Sequence, residues 1–296
     1  NNINNTFKLN EYLHSSKMYS QPITHTNRTA FIIAIDCSSS MQFNTQLNSH
    51  LMSKAEAVAM VCNYLIDELL ARATRGGKVR NYYDIAVIGY TGSDVVSLLS
   101  ENIDEFTPIT ELAKRAPKTT TLTFNQINEE GTTTSADFAL REWVKPMAEG
   151  RTPMYAALAH IYKMVKEWCS ARENRESFPP IIFNITDGEA NDASTKQIVS
   201  LARNITELGT LDGKTLLINV HLGSSEGQQS EIFPSESDFR PLSQYHLMLF
   251  LMSSLMPKEM EPLLSTIITH SSPAPYRALA YNASPCELLS ILNIGS

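Results

Sequence analysis

Asp36, Ser38 and Ser40 stand at alternate positions in Asp36-Cys37-Ser38-Ser39-Ser40-Met41, directly after the apolar run Phe31-Ile32-Ile33-Ala34-Ile35. A carboxylate and two hydroxyls where a buried strand ends can converge on one hard cation, because such ions take oxygen ligands. Alone the pattern is weak, since roughly one chain in ten of this length carries D-x-S-x-S by chance. Two further segments strengthen it. Gly150-Arg151-Thr152-Pro153-Met154 sets a threonine at an expected helix start, and Ile181-Ile182-Phe183-Asn184-Ile185-Thr186-Asp187-Gly188 sets an aspartate at the end of a second apolar strand. Neutral hydroxyls leave a divalent ion under-neutralised, and an open coordination position then attracts a carboxylate from outside. The expected chemistry is therefore binding of an acidic partner, without catalysis, as no general base, nucleophile or cofactor loop accompanies these residues.

With these three pieces in this order, the chain resembles the von Willebrand factor A (VWA) family and its metal-ion-dependent adhesion site, from about Phe31 to the C-terminus. The resemblance implies that Ser38, Ser40 and Thr152 touch the metal while Asp36 and Asp187 hold its waters. The ion implied is Mg²⁺, with Mn²⁺ or Ca²⁺ as alternatives, and the partner is a protein offering an Asp or Glu carboxylate. Met252-Ser253-Ser254-Leu255-Met256-Pro257 and Ala280-Tyr281-Asn282-Ala283 resemble the tail of stand-alone bacterial members, some related to tellurite-resistance operons. This implies a stress or defence assembly beside a kinase, phosphatase or AAA+ ATPase. There are two departures. Ser39 replaces a common glycine, which would strain a loop needing positive φ there, and Arg151 precedes the threonine and is expected to point to solvent.

These residues need a scaffold. Apolar runs at 31–36, 84–90, 180–186 and 215–222 alternate with helical patterns, which predicts crossover connections and a parallel sheet covered on both faces. The fold class expected is α/β, a Rossmann-like doubly wound, mostly parallel sheet flanked by helices. Ser53 and Glu56 form a capping box ahead of the stripe Ala55, Val58, Ala59, Cys62, Leu65, Ile66 and Leu69, with Gly76-Gly77 ending the segment. Thr152 and Pro153 read as N-cap and N1 of a second helix, and Ser194 with Gln197 opens a third. The second helix's positive end would suit a partner's carboxylate. Residues 1–28 read as a polar arm whose Leu13, Met18 and Tyr19 dock on the domain, 29–296 as the domain, and about 100–149 as an insertion on the site's face. Before and beyond the insertion the pattern predicts a short strand at Val95–Leu99, a helix around Pro257–Leu264, a strand at Ala278–Tyr281 and a helix after Pro285.

At 296 residues, 43% apolar and 19% charged, the chain has the composition of a globular protein. Its net charge of −7 argues against nucleic acid and anionic membranes as partners. Four dispersed cysteines suit a reducing, cytoplasmic address. No stretch approaches the ~18 apolar residues of a membrane span. The polar start, without Met or an apolar h-region, suggests a trimmed boundary. Sequons at Asn4, Asn27, Asn184, Asn204 and Asn282 read as chance matches.

Several patterns imitate catalytic motifs. Gly223-Ser224-Ser225-Glu226-Gly227 matches a nucleophile elbow, but the polar, proline-broken segment after it lacks the required helix. A hydrolase, through Ser225 or as a metal phosphoesterase, is the alternative function. Gly209 to Thr215 imitates a phosphate loop but has the wrong spacing and precedes a strand. Cys37 near His160 or His221 reads as packing. Asp36 and Asp187 are expected at a surface rim, so that alanine at either position would remove metal binding with modest loss of fold.

Overall fold

The computed structural model describes residues 18–47, 50–127, 133–223 and 229–295. Its main elements, in chain order, are β1 (Thr29–Asp36), α1 (Lys54–Ala73), β2 (Tyr83–Thr91), β3 (Asp94–Ser97), β4 (Thr107–Pro108), β5 (Thr119–Ile127) and β6 (Thr133–Arg141). There follow α2 (Met154–Ser170), β7 (Ile181–Thr186), α3 (Thr195–Glu207), β8 (Leu216–Leu222), β9 (Glu231–Ile232), α4 (Gln244–Met252), β10 (Leu279–Ala283) and α5 (Pro285–Leu292).

Eight strands make one sheet in the order β9-β10-β8-β7-β1-β2-β3, with β4 on β2. β2, β1, β7, β8 and β10 run parallel, while β3, β4 and β9 are antiparallel edges. This is the α/β architecture expected from the sequence, and all four apolar runs lie in it. Every residue of β1 is buried, as a strand covered on both faces must be. Phe31, Ile33 and Ile35 pack with Val58, Cys62 and Leu65 of α1 and Leu288 of α5. Ile32 and Ala34, pointing the other way, pack with Leu158 and Ile161 of α2, Ile198 of α3 and Leu249 of α4.

From β1 the chain crosses to β2 on one side, and the crossover through α2 returns it to β7 on the other. Such a reversal leaves a crevice outside the carboxyl ends of the two strands. Asp36 ends β1 and Asp187 follows β7, so both aspartates stand at the strand ends beneath that crevice.

The sheet is not wholly apolar. Tyr90 donates its hydroxyl to Asn184 Oδ1 (2.8 Å), Asn184 Nδ2 to Asn219 Oδ1 (2.9 Å) and Asn219 Nδ2 to Ser253 Oγ (3.0 Å). The row links β2, β7, β8 and the end of α4, and each buried amide is satisfied by the next. Asn184 is 1% exposed, in keeping with a chance sequon.

Local chemistry explains the helix bounds. α1 begins at the expected capping box, with Glu56 N donating to Ser53 Oγ (3.1 Å) and Ser53 N to Glu56 Oε2 (2.8 Å). It ends at Ala73, before Gly76-Gly77, which instead turn a small hairpin between Thr74–Arg75 and Lys78–Val79. α3 has its capping box at Ser194 and Gln197, and α5 a further one at Ser284 and Glu287. The helix expected at Pro257–Leu264 is a 3-10 turn running into Glu261–Leu264.

Between 100 and 149 lie a short helix, Ile109–Leu112, and the β5–β6 hairpin. The hairpin is anchored on α1: Asp67 Oδ1 accepts from Arg141 Nε (2.8 Å) and Trp143 Nε1 (2.9 Å), while Asn63 and Val144 exchange hydrogen bonds. Of the N-terminal arm, Tyr19 docks as expected, donating its hydroxyl to Lys214 O (3.0 Å) while Ser20 and Gln21 donate to the Asp212 carboxylate. Leu13 lies outside the described residues.

Candidate functional site

Asp36 is fully buried and held at both oxygens, accepting from Ser38 N at Oδ1 (2.9 Å) and from Thr186 Oγ1 at Oδ2 (2.8 Å). Burial raises its carboxyl above the usual range, against the hydrogen bonds from Ser38 and Thr186, which lower it. Ser38 and Ser40 place their hydroxyl oxygens 3.0 Å apart. Ser40 then donates to Asp187 Oδ1 (2.6 Å), whose other oxygen accepts from Lys54 Nζ (3.1 Å). A continuous polar chain therefore joins Asp36, Ser38, Ser40, Asp187 and Lys54 across the ends of β1 and β7.

Ser39 opens a 3-10 turn, Ser39–Gln42, so the loop asks no positive φ of it and the feared strain does not arise. The loop is clamped by the segment entering α2. Ser39 N donates to Gly150 O (3.1 Å), Glu149 N to Cys37 O (2.7 Å) and Gln42 Nε2 to Ala148 O (2.8 Å). Gly150 must be glycine: its φ is +73°, and a Cβ there would lie 2.8 Å from Gly92 N.

Thr152, two residues on, is buried, and its carbonyl accepts from Asn191 N (3.3 Å) in the loop after β7. Its segment thus touches the loops of both aspartates, although the hydrogen-bonded chain is made by the other four site residues and Lys54, with the Ser38 amide as the link to Asp36. Arg151 is exposed.

Thr152 is not the N-cap of α2. The helix begins at Met154, Pro153 holds the N-cap position, and a threonine before that position is too far back to reach the first free N–H groups. Asp192, from the loop after β7, supplies the cap with both oxygens, accepting from Tyr155 N (3.0 Å) and Ala156 N (2.9 Å). The carboxylate that this helix end was expected to draw from a partner therefore comes from the chain itself.

The aspartates also lie deeper than a surface rim. Asp187 has a 1% exposed side chain and Lys54 a 2% exposed one, a buried ion pair rather than a solvated one. Lys54, Thr186 and Asp192 are the residues that sequence reasoning missed. Thr186 was visible as the polar end of β7. A lysine at the first position of a capped helix ordinarily reads as solvated, and nothing in its spacing marks a partner 133 residues away.

His221, at the end of β8, closes one side. Burial, with Lys54's charge second, lowers it from 6.5 to about 4, and its Nδ1 accepts from Asn282 N (3.2 Å), so it is the neutral Nε2–H tautomer. Cys37 is no nucleophile: burial and then the Asp36 charge push its thiol up to about 12. His160 pairs instead with Asp104 (3.2 Å). Ser225 lies outside the described residues; the described chain resumes at Gln229 and enters β9. Residues 209–214 form a small hairpin, Gly209–Thr210 with Gly213–Lys214, consistent with a loop rather than a phosphate cradle.

No protein-family model matches the chain, and no curated protein matches it. Among solved structures, a von Willebrand factor type A protein from Catenulispora acidiphila is 14% identical with a TM-score of 0.39, covering 67% of this chain and 34% of that one. The SpRpn10 VWA domain is 10% identical with a TM-score of 0.40, covering 77% of this chain and 83% of that one. The vWF domain of the type V pili tip protein Mfa5 from Porphyromonas gingivalis is 12% identical with a TM-score of 0.30, covering 92% and 77%. Each is a likeness of fold. This chain spans only about a third of the length of the Catenulispora protein. Among the described residues no helix is long and apolar enough to cross a membrane.

Proposed function

We propose that the chain is a VWA-type protein-interaction module which binds an acidic residue of a partner protein through a divalent cation, Mg²⁺ first, with Mn²⁺ or Ca²⁺ as substitutes. The observation carrying this reading is the meeting of Ser38, Ser40, Asp36 and Asp187 in one hydrogen-bonded cluster at the sheet's switch point. All the donors are hydroxyl or carboxylate oxygens, the set a hard cation prefers over a softer transition metal.

Ser38, Ser40 and Thr152 would hold the ion directly, with Asp36 and Asp187 behind bound water. Bound there, the ion supplies a coordination position that a partner's Asp or Glu fills. The protein's own part is orientation: Thr186 and the Ser38 amide fix the Asp36 carboxylate, and the clamp at Gly150 fixes the loop bearing both serines. The thiols of Cys37, Cys62 and Cys169 are free, which suits a reducing, cytoplasmic setting. A bacterial stress or defence assembly with a kinase, phosphatase or AAA+ ATPase is the setting that this reading favours.

The test is capture of partners from native cell extract by the immobilised chain in Mg²⁺ and in EDTA, with Asp36→Ala beside it. Partners retained in Mg²⁺ and released by EDTA, and missed by the variant, support the mechanism. Equal capture in both buffers rejects it.

A further inference from the structure

Lys54 is out of place by ordinary rules. Its cation sits at the first residue of α1, the helix end that disfavours positive charge, and its side chain is withdrawn from water. Burying an ammonium is costly unless it is paired, and the pairing here is specific. The Asp187 carboxylate gives one oxygen to Ser40 and the other to Lys54, at 2.6 and 3.1 Å. The backbone holds Lys54 in place, since the capping box fixes the first turn of α1 and Lys54 N donates to Phe43 O (2.9 Å), the residue that closes the Ser39–Gln42 turn. The ammonium is thus delivered to the cluster by rigid structure on two sides.

We propose that Lys54 is a built-in competitor for the divalent cation: its ammonium neutralises Asp187 in the metal-free chain, and the ion binds only as that pair gives way. The proposal rests on the metal-site reading above and adds a consequence to it. With Asp36 and Asp187 ionised, a paired Lys54 leaves one net negative charge in the cluster, whereas its departure leaves two for a divalent ion to neutralise. A monovalent ion gains little from that exchange, so Lys54 makes the site both weaker and more selective for doubly charged ions. It also keeps the buried carboxylate paired when no metal is present.

The experiment titrates the full chain, Lys54→Met and Asp36→Ala with Mn²⁺ by calorimetry at one pH and ionic strength, with circular dichroism as the check on folding. Lys54→Met is expected to bind Mn²⁺ at least tenfold more tightly than the unaltered chain, and Asp36→Ala not to bind. Equal or weaker binding by Lys54→Met, with the unaltered chain binding well, overturns the competitor role and leaves the metal site standing. Absence of binding by both overturns the metal site and the competitor role together. Should Lys54→Met not fold, the unaltered chain decides the matter through acetic anhydride labelling of Lys54, followed by mass spectrometry. Labelling that rises severalfold with saturating Mn²⁺ supports displacement of the ammonium, and labelling unchanged by bound metal refutes it.

Discussion

Ser40 donates its hydroxyl to Asp187 across 2.6 Å, joining residues 147 positions apart and tying the loop after β1 to the end of β7. The same carboxylate neutralises Lys54, so Asp187 serves the fold as well as the site. Asp187→Ala is expected to cost about 3–5 kcal/mol, the penalty of removing one partner of a buried ion pair. Ser40→Ala should cost about 1.5–3 kcal/mol, a single hydrogen bond to a charged group. Urea unfolding measures both. The double variant Asp187→Ala/Lys54→Met should recover much of the loss, since it removes both charges; a strictly additive result would show that the pair is not what holds these residues.

Beneath the site, the row Tyr90–Asn184–Asn219–Ser253 leaves little freedom to substitute. Asn184→Ala strands the Tyr90 hydroxyl and the Asn219 carbonyl oxygen inside the sheet and opens a gap beside them. Two buried unsatisfied groups predict a loss of about 2–4 kcal/mol. Asn184→Leu, which restores volume but not hydrogen bonds, should be little better. Denaturant midpoints that barely move in either variant would mean water reaches this row.

The strands were legible because buried parallel strands are continuous apolar runs, and the helices because Ser53-x-x-Glu56 and Ser194-x-x-Gln197 announce their starts. Asp36, Ser38, Ser40 and Asp187 were legible as oxygen donors at strand ends, and the fold brings these four together. Thr152 illustrates a limit. Thr-Pro is a good cap signal, yet the helix started one residue later and a distant carboxylate, Asp192, took over the capping. Lys54 illustrates another: sequence spacing shows which residues share a helix face but not which long-range partner a charge will find. The β5–β6 hairpin was missed because its Thr-rich strands lie on α1 outside the main sheet and lack the apolar runs that mark the others.

Gly150 couples backbone conformation to the site. Gly150→Ala forces a side chain into a positive-φ position and against the Gly92 backbone, a strain of about 1–3 kcal/mol. The loop must shift to relieve it, and Gly150 O is the acceptor for Ser39 N. The variant is therefore expected to unfold at lower urea concentration and also to bind Mn²⁺ several-fold more weakly, although no ligand side chain has changed. Reduced stability with unchanged affinity would show the serine loop to be independent of its clamp.

His221 sets a pH dependence. Its ring is buried among Tyr245 and Tyr281 and faces the charge of Lys54, so the folded protein keeps it neutral down to about pH 4, whereas the unfolded chain takes up a proton near 6.5. Between those values the unfolded state binds more protons, so stability is complete above pH 6.5 and falls as pH is lowered toward 4. Protonation would also set a proton on Nδ1 against the Asn282 amide that now donates to it. A depression of this size amounts to at most about 3–4 kcal/mol. Asp36, raised by burial, works in the opposite direction over the range above its ordinary value, which overlaps this window, so the difference between two stability curves is the informative quantity. The unfolding free energy of the unaltered chain minus that of His221→Leu, followed from pH 7 to 4, should decline steadily through the window. A flat difference would mean that His221 charges inside the folded protein as readily as it does in water.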